Sequence, residues 1–351
     1  MFDDVLSPLE DEEKSLCFRG PWAWLVLITV CCIGIALVMW LLRKCVQGPF
    51  YRKKTRIDGK VVIVTGCNTG IGKETAMELA RRGGRIYMAC RDAARCESAR
   101  MEIIERTHNQ NVFNRTLDLA SLSSVRQFAE RFLAEEQRLD ILINNAGIMA
   151  TPRKLTVDGF EQQLGVNHLG HFLLTNLLLE RLKSTAPSRI VVVTSAAYIF
   201  GRINKEDLNS EKHYSKFLGA YCQSKLANIL FTRKLAELLK NTGVTANCVH
   251  PGIVHTELGR YSVAEYWYKS IWLRMFSCFV KTPQAGAQTT LRVALDPALE
   301  KCSGDYYADS MRLPLLPRAK DKEMAEWLWK ESEKLVGLQG GNAVQTIVVN
   351  Q

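Results

Sequence analysis

Residues 61–73 read VVIVTGCNTGIGK, a β-branched run that leads into a turn containing Gly66, Gly70 and Gly72. The run is typical of a strand buried on both faces, and a helical pattern follows over about residues 71–82. A glycine-rich turn between strand and helix lets the backbone approach a pyrophosphate at the helix N-terminus. A Walker A loop would need Gly at position 67 and Ser or Thr at position 74, where Cys67 and Glu74 stand. The stretch therefore predicts a dinucleotide-binding turn with the spacing G-x-x-x-G-x-G.

The same strand-then-helix rhythm continues along the chain. Further strands are predicted over residues 85–89, 112–117, 140–143, 189–194 and 244–249. Helical patterns are predicted over residues 93–106, 122–136, 158–183 and 219–240. Strands that alternate with helices imply parallel βαβ units, so we expect an α/β fold with a Rossmann-type, doubly wound parallel sheet. No second set of alternating strands and helices follows. The sequence therefore predicts a single domain over 58–336 and a C-terminal tail over 337–351.

The N-terminal region is divided by charge into three segments. Residues 1–20 form an acidic tail, residues 21–42 carry no charge, and residues 43–57 hold six bases and no acid. A helix of 22 residues rises about 33 Å, which is enough to cross a bilayer. A cleaved signal peptide would have a shorter apolar core and a basic N-terminal flank. We therefore expect a retained transmembrane anchor, a basic linker, and a cytosolic domain by the positive-inside rule.

The net charge of +10 is a local feature of the linker rather than of the whole surface. It therefore does not indicate a nucleic-acid partner. The 11 cysteines include no C-x-x-C pair, which favours reduced thiols over a disulfide framework. His168 and His171 lack a further cluster of ligands nearby in sequence, so no metal site is predicted.

The residues after the second and third predicted strands bear on the choice of cofactor. Arg91 follows the second strand, where an arginine accommodates a 2′-phosphate and a carboxylate would instead bind the ribose hydroxyl. This favours NADP(H). The alternative is that Arg91 is simply solvated and Asp92 caps the next helix. Asp118 follows the third strand and could either contact the adenine or cap the helix at 122.

A second group of polar residues carries the acid–base chemistry. Tyr221 and Lys225 are four residues apart, which places them on one face of a helix. An ammonium group near a phenol lowers its pKa, so that the tyrosine can exchange a proton with an alcohol or carbonyl oxygen. Asn167 and Ser195 lie near or after other strand ends, where ligands bind in open α/β sheets.

Together these features resemble the short-chain dehydrogenase/reductase family over roughly residues 58–310. The motifs are TGCNTGIG at 65–72, NNAG at 144–147, Asn167, Ser195 and YCQSK at 221–225. The resemblance implies that Tyr221 is the proton donor and acceptor and that Lys225 lowers its pKa and holds the ribose. It further implies that Ser195 orients the substrate oxygen and that Asn167 supports a proton relay. The expected cofactor contacts are Gly66, Asn68, Thr69, Gly70, Ile71, Gly72, Arg91, Asp118, Leu119, Asn145, Ala146, Gly147, Tyr221, Lys225, Pro251, Gly252 and Thr256.

Within this family the chain is most similar to the membrane-anchored retinol dehydrogenases of the eleven/twelve/thirteen/fourteen group. YMACRD at 87–92 and VHPGIVHTEL at 249–258 are among the segments that carry the likeness, whereas Ala197-Tyr198 departs from it. The likeness implies NADP(H)-dependent interconversion of retinal and retinol or similar lipophilic substrates, reductive in the cell. Steroids, sterols or lipid-derived aldehydes are the alternative substrates, and an inactive nucleotide-binding scaffold is a remote alternative. The expected location is the endoplasmic reticulum rather than mitochondria, with a homodimer as a candidate assembly.

Residues 253–281 depart from the strand-and-helix rhythm. The segment is rich in aromatic residues interleaved with bases, so we expect a substrate lid that also meets the membrane surface. A helix that simply packs on the sheet is the alternative. A lid beside a membrane anchor would suit a lipophilic substrate taken from the bilayer.

Overall fold

The structure, a computed structural model, describes residues 21–214, 218–259 and 280–338. The chain divides into two compact units, with the boundary between Val46 and Gln47. The first unit holds most of helix α1, Pro21–Gln47, whose apolar side chains over residues 24–42 are exposed. Its stretch Trp24–Gln47 is long and apolar enough to cross a membrane. The helix therefore fits the predicted single-pass anchor and continues five residues beyond the predicted end of the span.

Within the described residues of the second unit, one eight-stranded sheet forms the centre of the fold. Its strands are Val61–Thr65 (β1), Arg85–Cys90 (β2), Val112–Thr116 (β3), Ile141–Asn144 (β4), Ser188–Val193 (β5), Val244–His250 (β6), Tyr306–Ala308 (β7) and Met311–Leu313 (β8). They lie in the order β3-β2-β1-β4-β5-β6-β7-β8, and every pairing is parallel except that of β7 with β8. The predicted doubly wound parallel sheet is confirmed. Its reversal of strand order beside β1 creates the crevice in which such sheets bind ligands.

Helices cover both faces of this sheet. They are Gly70–Arg81 (α2), Ala93–Thr107 (α3), Leu122–Glu135 (α4), Gln162–Leu164 (α5), Gly170–Ser184 (α6), Gly219–Leu238 (α7), Pro283–Leu295 (α8) and Lys322–Leu335 (α9). Two buried hydrophobic clusters lie on opposite faces of the sheet, one beneath α4, α6, α7 and α9 and the other beneath α2, α3 and α8. The central strands are buried along their whole length, because both of their faces meet helices.

The largest difference from the sequence-based prediction lies within residues 158–183. A continuous helix is wrong here, because α5 passes into a π-helical turn, Gly165–Leu169, before α6 begins. The sequence pattern did not predict strands β7 and β8 or helices α8 and α9. Each of the two strands is only three residues long, too short to show an alternating hydrophobic pattern.

Residues 51–55 of the predicted basic linker belong to the second unit and make specific contacts within it. Tyr51 donates its backbone N–H to Gln288, and Lys53 pairs with the buried carboxylate of Asp296 at 2.7 Å. Arg82 donates to the carbonyl oxygens of Lys53 and Thr55 at 2.6 and 3.0 Å. This part of the linker is therefore packed onto the domain by specific polar contacts.

Candidate functional site

The glycine-rich turn after β1 forms a cradle of backbone at the crevice. Gly66 and Gly70 have positive φ angles of 63° and 59°, which glycine adopts readily. A Cβ atom on Gly72 would collide with the carbonyl oxygen of Gly66 and stand 2.5 Å from Asn145 Nδ2. Asn145 in turn donates to the Gly66 carbonyl at 3.1 Å, so the NNAG segment supports the turn. The bare backbone and the N-terminus of α2 fit a pyrophosphate, whose oxygens accept hydrogen bonds from first-turn amides.

Thr65, the last residue of β1, is the centre of a buried hydrogen-bond network. Its Oγ1 accepts hydrogen bonds from the backbone N–H groups of Asn145 and Ala146 at 2.9 and 3.0 Å. The same atom lies 2.9 Å from Nε2 of His171, whose Nδ1 lies 3.1 Å from the Asn167 carbonyl oxygen. A carbonyl only accepts, so Nδ1 carries the hydrogen and Nε2 accepts from the threonine hydroxyl. Burial lowers the pKa of His171 to about 3, consistent with this neutral ring.

Asn167 is held in the π-helical turn Gly165–Leu169. The turn closes with a hydrogen bond from the N–H of Gly170 to the carbonyl of Gly165. The Asn167 side chain accepts from the N–H of Ile148 at 2.9 Å and donates to its carbonyl at 3.0 Å. It also donates to Ser224 Oγ on α7 at 2.9 Å. π-Helical turns are frequent at functional sites, and this one ties α6 to α7 and to the segment after β4.

Tyr221 and Lys225 lie on the buried face of α7, as their spacing predicts. Lys225 Nζ is 5.6 Å from the centre of the Tyr221 ring and donates to the carbonyl of Val193 at 3.3 Å. A Cβ atom on Gly147 would stand 3.4 Å from the same Nζ, so the NNAG segment and the lysine are neighbours. Ser195, two residues beyond that carbonyl, is near enough to the Tyr221 phenol to lower its pKa. The four predicted catalytic residues are therefore linked through α7 and its neighbours.

The electrostatics of the tyrosine and lysine are dominated by burial. Burial raises the pKa of Tyr221 to about 12, and the interaction with Ser195 opposes this rise. Burial also lowers the pKa of Lys225 to about 8, because the charged amine has left water. The lowering of the tyrosine pKa by Lys225 stays a prediction. At neutral pH this environment favours a protonated phenol, which can donate a proton.

The ends of β2 and β3 hold the residues expected at the adenosine side. Arg91 is exposed directly after β2, whereas the Asp92 carboxylate accepts from the N–H of Arg95 and caps α3. The structure therefore supports the capping role for Asp92. The Asp118 carboxylate accepts from the N–H of Ala120 at 3.0 Å, which stabilises the loop after β3.

The segment after β6 covers the nucleotide turn from the other side. A Cβ atom on Gly70 would lie 3.1 Å from the methyl group of Thr256, which shows how closely the two segments approach. Gly252 has a φ of 89°, and a Cβ there would lie 2.9 Å from the Lys281 side chain. Pro251 is buried at the strand end. These residues place a second wall beside the glycine cradle.

The other predicted cofactor residues line or support the same crevice. Asn68 and Thr69 are half-buried in the nucleotide turn, and Thr69 precedes the first residue of α2. Ile71 lies in the first turn of α2, near Gly286 of α8. Leu119 is buried after β3, and its backbone carbonyl closely approaches Gly170. Leu119 thus supports the beginning of α6 through the backbone.

Two functional contacts were not identified from the sequence. His171 joins the nucleotide turn to Asn167, and His250 Nδ1 accepts from the backbone N–H of Ala196 at 3.3 Å. Because Ala196 follows Ser195, His250 helps to fix the serine loop. The sequence did not reveal these contacts because the partners are far apart along the chain. Thr65 is 106 positions from His171, and Ala196 is 54 positions from His250.

The predicted substrate lid is described only at its two ends, because residues 260–279 lie outside the described part of the chain. Val254 and Lys281 form a parallel bridge. The N–H of His255 donates to the Lys281 carbonyl at 3.0 Å, and the Lys281 N–H donates to Ile253 at 2.8 Å. The two described ends of the predicted lid therefore lie side by side.

We expect two amide replacements of His171 to separate the roles of its two ring nitrogens. Asparagine can place an amide donor near the former Nδ1, whereas glutamine can place a polar atom near the former Nε2. His171→Asn should therefore keep turnover within about threefold, and His171→Gln should lower it about tenfold by losing the bond to Asn167. Steady-state kcat and thermal unfolding of both variants provide the measurement. Equal kcat values at equal unfolding temperatures would contradict a positioning role.

Comparison with known proteins identifies the family to which this architecture belongs. The model of the short chain dehydrogenase family matches residues 60–267. The chain is 54% identical over 300 residues to retinol dehydrogenase 12 of Homo sapiens, covering 85% of this chain and 93% of that protein. It is 52% identical over 297 residues to retinol dehydrogenase 11 of Mus musculus, covering 85% and 92% of the two chains.

Solved structures show the same fold. A crystal structure of an uncharacterized protein from Mycobacterium Paratuberculosis has a TM-score of 0.67 and 40% identity, covering 83% of this chain and 98% of that one. A Pseudomonas aeruginosa RhlG/NADP complex, with 24% identity, a TM-score of 0.58 and coverage of 72% and 95%, supports the fold. The chain belongs to the short-chain dehydrogenase/reductase family and is an oxidoreductase similar to the retinol dehydrogenases.

Proposed function

We propose that the protein is an NADP(H)-dependent oxidoreductase that interconverts retinal and retinol or similar lipophilic aldehydes and alcohols, working mainly as a reductase in the cell. The observation that carries the proposal is the placement of Tyr221, Ser195 and Lys225 beside the glycine cradle at one edge of the sheet. The retinoid substrate is supported by extended identity to proteins named retinol dehydrogenases.

The chain's own residues account for the acid–base half of this reaction. The nicotinamide would supply or accept the hydride at the substrate carbon. Ser195 would hold the carbonyl oxygen near Tyr221 Oη, and the phenol would donate its proton to that oxygen in the reductive direction. Lys225 would bind the ribose and stabilise the phenolate that remains after proton transfer. Asn167 would support the relay that returns a proton to this phenolate. A protonated Tyr221 at neutral pH supports reduction.

The proposed preference for NADP(H) depends on charge at the end of β2. Arg91 is exposed there, and Asp92 is occupied as the cap of α3. An exposed guanidinium can pair with a 2′-phosphate, whereas the capping carboxylate is less available to bind a ribose hydroxyl.

The proposed location is the endoplasmic reticulum membrane, with the domain in the cytosol. The apolar helix Trp24–Gln47 would provide the single-pass anchor, and the bases that follow the span favour the cytosolic side. Cytosolic NADPH would then drive reduction of a lipophilic aldehyde that partitions into the same bilayer. Cell fractionation distinguishes the endoplasmic reticulum from a mitochondrial membrane. Cross-linking of the full chain tests for a homodimer.

Paired cofactor assays of the detergent-solubilised full chain test this proposal. With all-trans-retinal, we expect kcat/KM to be at least about tenfold higher with NADPH than with NADH, since charge-assisted bonds to the phosphate favour the former. Arg91→Gln should remove most of that preference. Arg106→Gln is the matched control, because Arg106 is a half-exposed arginine at the other end of α3 that pairs with Glu102. Faster turnover with NADH than with NADPH would overturn the cofactor preference. Faster reduction of steroids or lipid-derived aldehydes than of retinal would overturn the retinoid substrate.

A further inference from the structure

An ion pair joins two distant parts of the chain beside the cofactor crevice. Arg95 Nη2 lies 2.6 Å from Glu257 Oε1, although the residues are 162 positions apart. Arg95 is in the first turn of α3, whose N-terminus follows the exposed Arg91. Glu257 begins the short helix Glu257–Gly259 in the segment after β6. The pair therefore connects the adenosine side of the crevice to residues 253–259, which we call the substrate-side segment.

The neighbours of Glu257 show that this segment crosses the crevice. Thr256 approaches Gly70 in the nucleotide turn, and Leu258 Cδ1 lies 4.0 Å from a Cβ position built on Gly147. The segment thus approaches the pyrophosphate cradle at Thr256 and the NNAG loop at Leu258. The ion pair with Arg95 adds a third attachment, at the end of the crevice where Arg91 is placed.

The Arg95–Glu257 pair is suited to exchange with another anion. Its side chains are 48% and 42% exposed, and ion pairs in that environment contribute little net stability. A phosphate monoester carries nearly two negative charges, and an arginine can donate two parallel hydrogen bonds to it. A phosphate placed beside Arg91 would therefore compete with the single Glu257 carboxylate for Arg95.

We propose that Arg95 is a second recognition residue for the cofactor 2′-phosphate and that Glu257 occupies it in the nucleotide-free protein. This inference rests on the NADP(H) preference proposed above. Binding of the 2′-phosphate transfers Arg95 from Glu257 to the phosphate, which removes one attachment of the substrate-side segment. The phosphate that selects the cofactor thereby also loosens residues 253–259.

Calorimetric binding of two nucleotide fragments tests the exchange without turnover. Adenosine 2′,5′-bisphosphate carries the 2′-phosphate, and adenosine 5′-monophosphate lacks it. Arg95→Gln should weaken binding of the bisphosphate about tenfold, whereas Glu257→Gln should tighten it about two- to fivefold. Neither variant should change binding of the monophosphate more than about twofold. Glu97→Gln is the matched control, because Glu97 is also on α3 but pairs with Arg100 on the same helix.

The double variant distinguishes direct exchange from a general change of charge. In the Arg95→Gln background, Glu257→Gln should no longer tighten binding of the bisphosphate. Tightening of the same size in both backgrounds, or an equal effect of Glu97→Gln, would overturn the exchange. If the unmodified protein binds both fragments equally, the NADP(H) preference itself fails. If it prefers the bisphosphate but Arg95→Gln has no effect, only the role of Arg95 fails.

Discussion

Replacement of Tyr221 by phenylalanine is expected to lower kcat for reduction of all-trans-retinal by about 10²–10⁴-fold, the usual contribution of a positioned acid. The phenol is buried beside Ser195, and in the proposed mechanism it supplies the proton that the substrate oxygen needs. The substitution removes only the hydroxyl, so the ring should continue to fill its place on α7. Cofactor affinity, measured by quenching of protein fluorescence, should change by less than about threefold.

Tyr306→Phe is the matched control for this substitution. Tyr306 is also a buried tyrosine, but it lies on β7 and packs against the ring of Tyr198. Its loss of a hydroxyl should leave kcat within about threefold of the unmodified protein. Comparable activity of the Tyr221 and Tyr306 variants would rule out the proposed acid.

The pH profile provides a further readout on the same residue. Reduction needs the protonated phenol, so its rate should fall as the pH rises toward the pKa of Tyr221, which burial raises to about 12 in the nucleotide-free chain. Oxidation of retinol needs the phenolate and should therefore become faster over the same interval. The Tyr221→Phe variant should lose both dependences.

Replacement of Gly72 by alanine is expected to disrupt the nucleotide cradle and the packing beneath it. The added methyl group would collide with the Gly66 carbonyl and stand 2.5 Å from Asn145 Nδ2, which must both move. Overpacking of this kind lowers the free energy of unfolding by about 1–3 kcal/mol. NADPH affinity should fall at least about tenfold, because the displaced backbone forms the proposed pyrophosphate cradle. Denaturant unfolding and NADPH fluorescence measure the two effects.

Gly34→Ala makes the same chemical change where a new Cβ atom meets nothing within 4 Å. Gly34 lies in α1, so alanine is compatible with its helical backbone. This control should preserve NADPH affinity and the unfolding free energy of the second unit. Unchanged NADPH binding by the Gly72 variant would contradict the predicted geometry of the cradle.

Much of the fold was predictable because its signals are local. The β-branched run over β1, its glycine-rich turn and the following helix occupy one short stretch. A parallel sheet also places successive strand ends at one edge, so Asn145, Ser195 and Pro251 could be assigned to a common crevice. The uncharged run before the linker likewise indicated the apolar helix α1 from length and composition alone.

The parts decided by tertiary structure depend on partners that are distant along the chain. The hydrogen-bonding role of His171 follows only when Thr65 and the Asn167 carbonyl meet its two ring nitrogens. The π-helical turn at Asn167 likewise requires close packing that helical periodicity does not encode. The pairing of Arg95 with Glu257 has the same origin. Sequence determined which chemical groups the crevice could contain, whereas folding decided which of them share a hydrogen bond or an ion pair, because those interactions act only over a few ångströms.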